Sequence, residues 1–188
     1  QRICPMRDHK CLTDWNAMAA VALLEAGICF NETAWIEKSQ AIFDTLKTDM
    51  VHCRIDGDIT ADALLDDYAW MILLGATLYA YTHNADILNH VNDLYDRAKQ
   101  TFYDTDNGGF FMNAENPVLR LKTANDSALP SGNAVMIEAL SVLARSVPND
   151  KKYGRECNDL IKTFAGEIHM APYALGGYLY ASYTHCIE

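Results

Sequence analysis

Three times along this chain a helix with almost no polar side chain is followed by a short turn and a helix with one apolar stripe. The apolar members read "NAMAAVALLEAGICF", "YAWMILLGATLYAY" and "NAVMIEALSVLA". Each turns at an Asn-acid cluster: Asn31-Glu32, Asn84-Ala85-Asp86 and Asn149-Asp150. These are good turn and cap residues. The second member of each pair carries apolar residues at three- and four-residue steps. Ile87, Val91, Leu94, Tyr95, Ala98 and Phe102 form one stripe; Tyr153, Cys157, Leu160, Ile161 and Phe164 form another. Trp35, Ile36, Ile42, Phe43 and Leu46 follow the pattern more loosely. The three units span residues 14–48, 66–102 and 131–168.

A helix that is apolar all round must be covered on most sides, whereas an amphipathic one lies at a surface. The geometric solution is an inner layer of apolar helices wrapped by amphipathic ones. We therefore expect an all-α fold, with about three helical hairpins of an α/α toroid forming a partial ring. Common solenoid repeats run about 33 to 47 residues; here the extra length lies between hairpins, in 49–63 and 103–130. Every inner helix then starts from a long connection, so the three N-termini share one end. Long connections on a rigid scaffold are where sites usually form.

The bulk numbers exclude several classes. The 188 residues suit one domain, and half of them are hydrophobic. Twenty-five acidic residues against 15 basic ones give a net charge of -10, which repels phosphate backbones and anionic lipid. Nucleic-acid and membrane partners are not expected. No apolar run reaches the roughly 18 residues of a membrane span. The chain begins at Gln1 without a signal-like segment, and reads as part of something longer. Six cysteines form no CxxC pair, and no histidine cluster completes a zinc pattern. Cys29 and Cys157 fall in helical apolar patterns. We expect reduced thiols and a cytoplasmic protein, although the even count allows disulfides. Neither a metal nor a cofactor is expected.

The inner helices open with Thr13-Asp14-Trp15-Asn16, Asp66-Asp67-Tyr68 and Ser131-Gly132-Asn133. Helix capping explains one polar residue per helix. A second carboxylate, and aromatic rings beside acids and amides, suit a hydroxyl-rich ligand: rings stack on sugar faces, while acids and amides bind hydroxyls. Asp8 and Lys10 precede the first inner helix and are site candidates, or else a solvated ion-paired set with Arg7 and Asp14. Histidine is the side-chain type suited to acid–base work near neutral pH, but His9 receives no catalytic role. His52, His83, His90, His169 and His185 are scattered.

"YDTDNGGFFMNAE" places Asp104, Asp106, Gly109 and Glu115 at calcium-loop positions one, three, six and twelve. Gly108 offers no ligand at position five, and Asn116-Pro117 interrupts the exit helix. The expected structure is a tight turn at Asn107-Gly108-Gly109 in a short β-hairpin near 103–112. No nucleophile triad, Walker loop or dinucleotide fingerprint is present. Paired carboxylates are the catalytic grammar on offer: Asp66 or Asp67 with Asp8, Asp14 or Asp126 as acid and base.

"RDHKCLTDWN", "LLDDYAW", "NGGFF" and "LPSGNA", in this order, resemble the C-terminal α/α-toroid region of a family comprising the bacterial YyaL-type proteins and the animal spermatogenesis-associated protein 20. The resemblance runs from Arg7 to about Ile168. It implies a ring of helical hairpins akin to the six-hairpin glycosidases and the N-acylglucosamine 2-epimerases. It also implies a single α/α-toroid domain over 1–188, as the C-terminal part of a longer protein with an N-terminal thioredoxin-like domain. The matching positions are Arg7, Asp8, Lys10, Trp15, Asn16, Asp66, Asp67, Tyr68, Ser131, Gly132 and Asn133. The family pattern has two acids after the arginine; His9 stands at the second here.

These readings converge on a carbohydrate-active domain of sugar isomerase, epimerase or glycoside hydrolase type, with its site at the inner-helix N-termini. Asp67, Asp66 and Asp8 are the catalytic candidates. Arg7, Lys10, Trp15, Asn16, Tyr68, Ser131 and Asn133 are the binding candidates for a carbohydrate-like ligand. The alternative is a non-catalytic scaffold that binds a protein. A half-ring exposes more apolar surface than a monomer tolerates, so self-association or cover by a further domain is expected.

Overall fold

A computed structural model describes residues 2–5, 7–115 and 118–187. Seven α-helices dominate these residues: α1 (Thr13–Phe30), α2 (Thr33–Leu46), α3 (Leu65–Thr82), α4 (Ala85–Phe102), α5 (Gly132–Ser146), α6 (Lys151–Phe164) and α7 (Gly176–Ile187). Helices α1 and α2, α3 and α4, and α5 and α6 form the three hairpins. Helix α3 packs between α1 and α5, so α1, α3 and α5 make the inner layer. The stripes on α4 and α6 are buried as their spacing requires: Val91, Leu94 and Ala98 on one, Cys157, Leu160 and Phe164 on the other. Helix α2 is looser. It buries Phe43 and Ser39, whose hydroxyl donates to the Ala20 carbonyl of α1, while Trp35 stays partly exposed.

The turns follow from their residues. Asn31 and His83 end α1 and α3 in the left-handed region, at φ 58° and 54°, where Asn and His are enriched among residues with a side chain. Asn84 and Asp150 cap α4 and α6, accepting from the N–H groups of Asp86 and Lys152. Gly75 marks a close approach of the layers. A Cβ there would lie 2.4 Å from Val91 Cγ2 and 2.8 Å from the Phe43 ring.

Two features exceed the sequence reading. Helix α7 lies beyond the third unit and packs on α5, burying Tyr178 and Ala181 as a fourth inner helix. The connection at 49–63 is folded as well. Strands β1 (Lys10–Leu12), β2 (Val51–Ile55) and β3 (Asp58–Asp62) form an antiparallel sheet in the order β1-β2-β3. Asp56 and Gly57, both at positive φ, close the β2–β3 hairpin, which is what an Asp-Gly turn favours.

The hairpin expected near 103–112 reduces to one bridge between Tyr103 and Phe110. Its turn is tight, with Gly108 and Gly109 at positive φ. The Lys122 ammonium stands against Asp104 at 2.6 Å and the Gly108 carbonyl at 2.7 Å, so an internal cation serves this loop. That ammonium, with N–H groups of Asp106 and Asn107, holds the Asp104 carboxyl well below the usual range. The Asn116-Pro117 stop lies outside the described residues.

The six cysteines are unpaired, and Cys29, placed in the apolar pattern by the sequence, is exposed. Among the described residues no helix is long and apolar enough to cross a membrane. Because Val91 and Phe43 are buried and cannot retreat, Gly75→Val is expected to destabilise the chain by about 1–3 kcal/mol. Chemical denaturation measures it; an unchanged midpoint would contradict this packing.

Candidate active site

The first turn of a helix leaves N–H groups without partners. At the N-terminal end of the inner layer, carboxylates from neighbouring segments supply them. Asp67 Oδ2 accepts from Leu64 N at the start of its own helix (2.8 Å), and Oδ1 accepts from Asp14 N in the first turn of α1 (3.0 Å). Asp66 accepts from the Gly132 N–H that opens α5. Asp126, in the connection before α5, accepts from Ser131 N (3.1 Å) and from Gly177 N at the start of α7 (2.6 Å). Helix dipoles favour negative charge here. The acids therefore tie four inner helices together at one end.

Above them opens a cavity of about 380 Å³. Asp14, Asp66 and Asp126 are the titratable groups among its lining residues. Leu65, Trp70, Met112 and Leu129 give it an apolar wall, and Asn125, Ser127 and Ser131 give it hydroxyl and amide groups. Burial pushes the Asp66 carboxyl up to about 6, and the charges of Asp14 and Asp67 add to it, against the Gly132 N–H and His52. Burial also raises Asp67, opposed by the Leu64 N–H and His52. Asp66 thus lines a ligand-sized space with its carboxyl raised toward the neutral range.

The site residues expected from sequence divide. Asp66, Ser131 and Asn133 line the cavity, and Asp67 lies fully buried among the helix starts. Ser131 is the N-cap of α5, accepting from Ala134 N. Asn133 is a structural clamp: its Oδ1 accepts from Phe110 N, and its Nδ2 donates to the carbonyls of Phe110 and Thr123, each at 2.9 Å.

Six others stand elsewhere. Asp8 and Lys10 are exposed and satisfy each other: Lys10 N donates to Asp8, with Nζ 3.4 Å away. Arg7 is exposed and absent from the lining. Trp15 lies roughly 100° round the helix from Asp14 and is 57 % exposed outside the cavity. Asn16 donates to the Leu12 carbonyl at 2.7 Å and faces Lys38 and Ile42 of α2. Tyr68 is buried edge-on to Phe102, in the seam between α3 and α4, with Arg97 over its ring. It offers no face to a ligand.

Trp70 was legible in principle, since it follows Asp66 by one helical turn. Asn125 and Ser127 sit in an irregular connection with no periodic signal. His52 is one of the histidines scattered along the sequence. It reaches from β2 to place Nδ1 3.1 and 3.2 Å from the two oxygens of Asp67. Asp14, His52 and Asp67 bring ligand atoms within 4.8 Å of one another, a grouping that could hold a metal ion. Both Asp67 oxygens already take backbone N–H groups and face the His52 ring, so hydrogen bonding accounts for the cluster.

The chain matches no family model. Spermatogenesis-associated protein 20 of Mus musculus is 31% identical over 116 residues, 59% of this chain and 14% of that protein. A family GH76 α-mannanase of Bacteroides thetaiotaomicron superposes at TM-score 0.75 and 13% identity, over 95% of this chain and 53% of its own. Cellobiose 2-epimerase of Spirochaeta thermophila gives 0.69 and 16%, over 89% and 46%. An α-1,6-mannanase of Salegentibacter sp. gives 0.62 and 12%, over 81% and 46%; that structure is an inactive variant with two consecutive aspartates changed to asparagine, bound to α-1,6-mannotriose. The chain spans about half the length of these structures. Its fold is that of the α/α-toroid glycoside hydrolases and sugar epimerases, and its sequence is similar to spermatogenesis-associated protein 20.

Proposed function

We propose that the chain supplies a carbohydrate site of glycoside hydrolase type, with Asp66 as general acid. The observation that carries this reading is the Asp66 carboxyl, raised to about 6, facing a cavity whose titratable lining groups are carboxylates. Glycoside hydrolysis needs such a pair. The Asp66 carboxyl donates its proton to the glycosidic oxygen as the C–O bond breaks. Asp126, fixed by two N–H groups, accepts a proton from the attacking water. Asp67, which accepts from the N–H groups of Leu64 and Asp14, fixes the starts of α3 and α1 beside Asp66. The mannanase inactive with two consecutive aspartates replaced supports the reading, because Asp66 and Asp67 are consecutive here. A carboxylate-lined cavity favours hydrolysis over the isomerase and epimerase alternatives.

Asp66→Asn should lower turnover of α-1,6-mannotriose or cellobiose by at least about 100-fold, the usual worth of a general acid. Retained turnover removes Asp66 from the mechanism. If neither sugar is bound or cleaved, the non-catalytic scaffold is the better reading.

The same carboxyl predicts a pH dependence of stability. Its folded value, about 6, lies above the ordinary 3.8. Its contribution to stability is therefore full below 3.8 and is lost as pH rises through 6. Asp66→Asn should raise the melting temperature at pH 8 and leave it unchanged at pH 3.5. Equal effects at both pH values would refute the burial of that charge.

We also propose that the chain self-associates through its end helices. Trp15 and Phe30 on α1 are 57% and 69% exposed, and Tyr180 and Tyr183 on α7 are 60% and 64% exposed. Inner helices of this kind are ordinarily covered. Sedimentation equilibrium should show dimers or larger species at micromolar concentration, reduced by Phe30→Asp. A strictly monomeric chain would exclude the association.

A further inference from the structure

The cavity is electrostatically one-sided. Asp14, Asp66 and Asp126 line it, and no Lys, Arg or His is among its lining residues. Lys122, Arg120, Lys10 and Arg54 in the flanking segments are engaged elsewhere. Lys122 is held by Asp104 and the Gly108 carbonyl. Arg120 donates to the carbonyls of Thr101 and Asn113, with its guanidinium over the Phe111 ring. Lys10 is paired with Asp8, and Arg54 with Asp49. His52 faces Asp67. An acidic ligand entering here would meet like charge with no counter-ion from the lining.

The rest of the wall suits a sugar ring without charge. Leu65, Trp70 and Leu129 offer apolar surface to its C–H face, and Asn125 and Ser127 offer partners to its hydroxyls. We infer that the cavity admits uncharged sugar residues and rejects uronic or otherwise anionic ones, a selectivity set by Asp14, Asp66 and Asp126 together with the missing counter-ion. This rests on the carbohydrate reading of the same site. A ligand carboxylate ~5 Å from one ionised aspartate, at an effective permittivity of about 20, weakens binding by roughly 100-fold.

The selectivity should also follow pH. Asp66 is faced by Asp14 from α1, Asp67 from α3, His52 from β2 and the Gly132 N–H from α5. Its charge develops as pH rises through about 6, so rejection of anions deepens above that value.

The test uses matched sugars differing by one carboxylate: cellobiose against cellobiouronic acid, and α-1,6-mannotriose against the same trisaccharide with its non-reducing terminal mannose oxidised to the uronic acid at C6. Binding is followed by NMR titration at pH 8 and pH 5. The uncharged member should bind at least about tenfold more tightly at pH 8, with a smaller gap at pH 5. Ser127→Lys places a cation among the exposed lining residues without touching the bonded acids, and should narrow the gap at pH 8. Equal or tighter binding of the acidic member overturns the selectivity while leaving the carbohydrate reading intact. A gap unmoved by Ser127→Lys overturns its electrostatic origin. Binding of no sugar of either kind overturns the carbohydrate reading itself, and the selectivity with it.

Discussion

An unpaired N–H at the start of a buried helix must find an acceptor, and in this chain the acceptors come from neighbouring segments. Asp67 joins α3 to α1, Asp66 joins α3 to α5, and Asp126 joins α5 to α7. The inner layer is therefore stitched at one end by charge-assisted hydrogen bonds, each stronger than a neutral one. Along the remaining length the helices meet through apolar packing, with Gly75 at one close approach of the inner and outer layers. Because the stitching residues are acids, the same end that fixes the register of the helices acquires its negative potential.

One group of carboxylates thus answers two demands. As helix-start acceptors they are best ionised. As buried neighbours of one another they resist ionisation, and Asp66, flanked by Asp14 and Asp67, carries that conflict furthest. A site that stabilised every acid fully would hold no proton in reserve. Tension of this kind is the usual mark of a functional position, where local consistency yields to chemistry.

The alternation of apolar and amphipathic helices was legible because burial on all sides and burial on one side leave different periodicities. The short turns were legible because Asn31, Asn84 and Asp150 each do one local job. Helix α7 was not: its tyrosines and paired glycines carry no clear helical stripe, and its inner position is fixed by contact with α5. The sheet at 49–63 carried a readable Asp-Gly turn that the helical reading of the chain passed over. Among the candidate residues, Asp66 was legible as an acid at a helix start. Tyr68 and Asn16 were misplaced because sequence proximity to Asp66 or Asp14 does not fix direction; each successive helical residue points elsewhere. His52 met Asp67 only through the pairing of strands that had not been foreseen.

The clamp at Asn133 has a further consequence. It ties Phe110 and the cavity-lining Thr123 to the start of α5 through three bonds from one amide. An amide does not titrate. One part of the cavity lining is thus pinned by a group indifferent to acidity, whereas the acids at the helix starts respond to it. Over the range in which Asp66 gains and loses its proton, the chamber can change its charge while this part of its outline stays put.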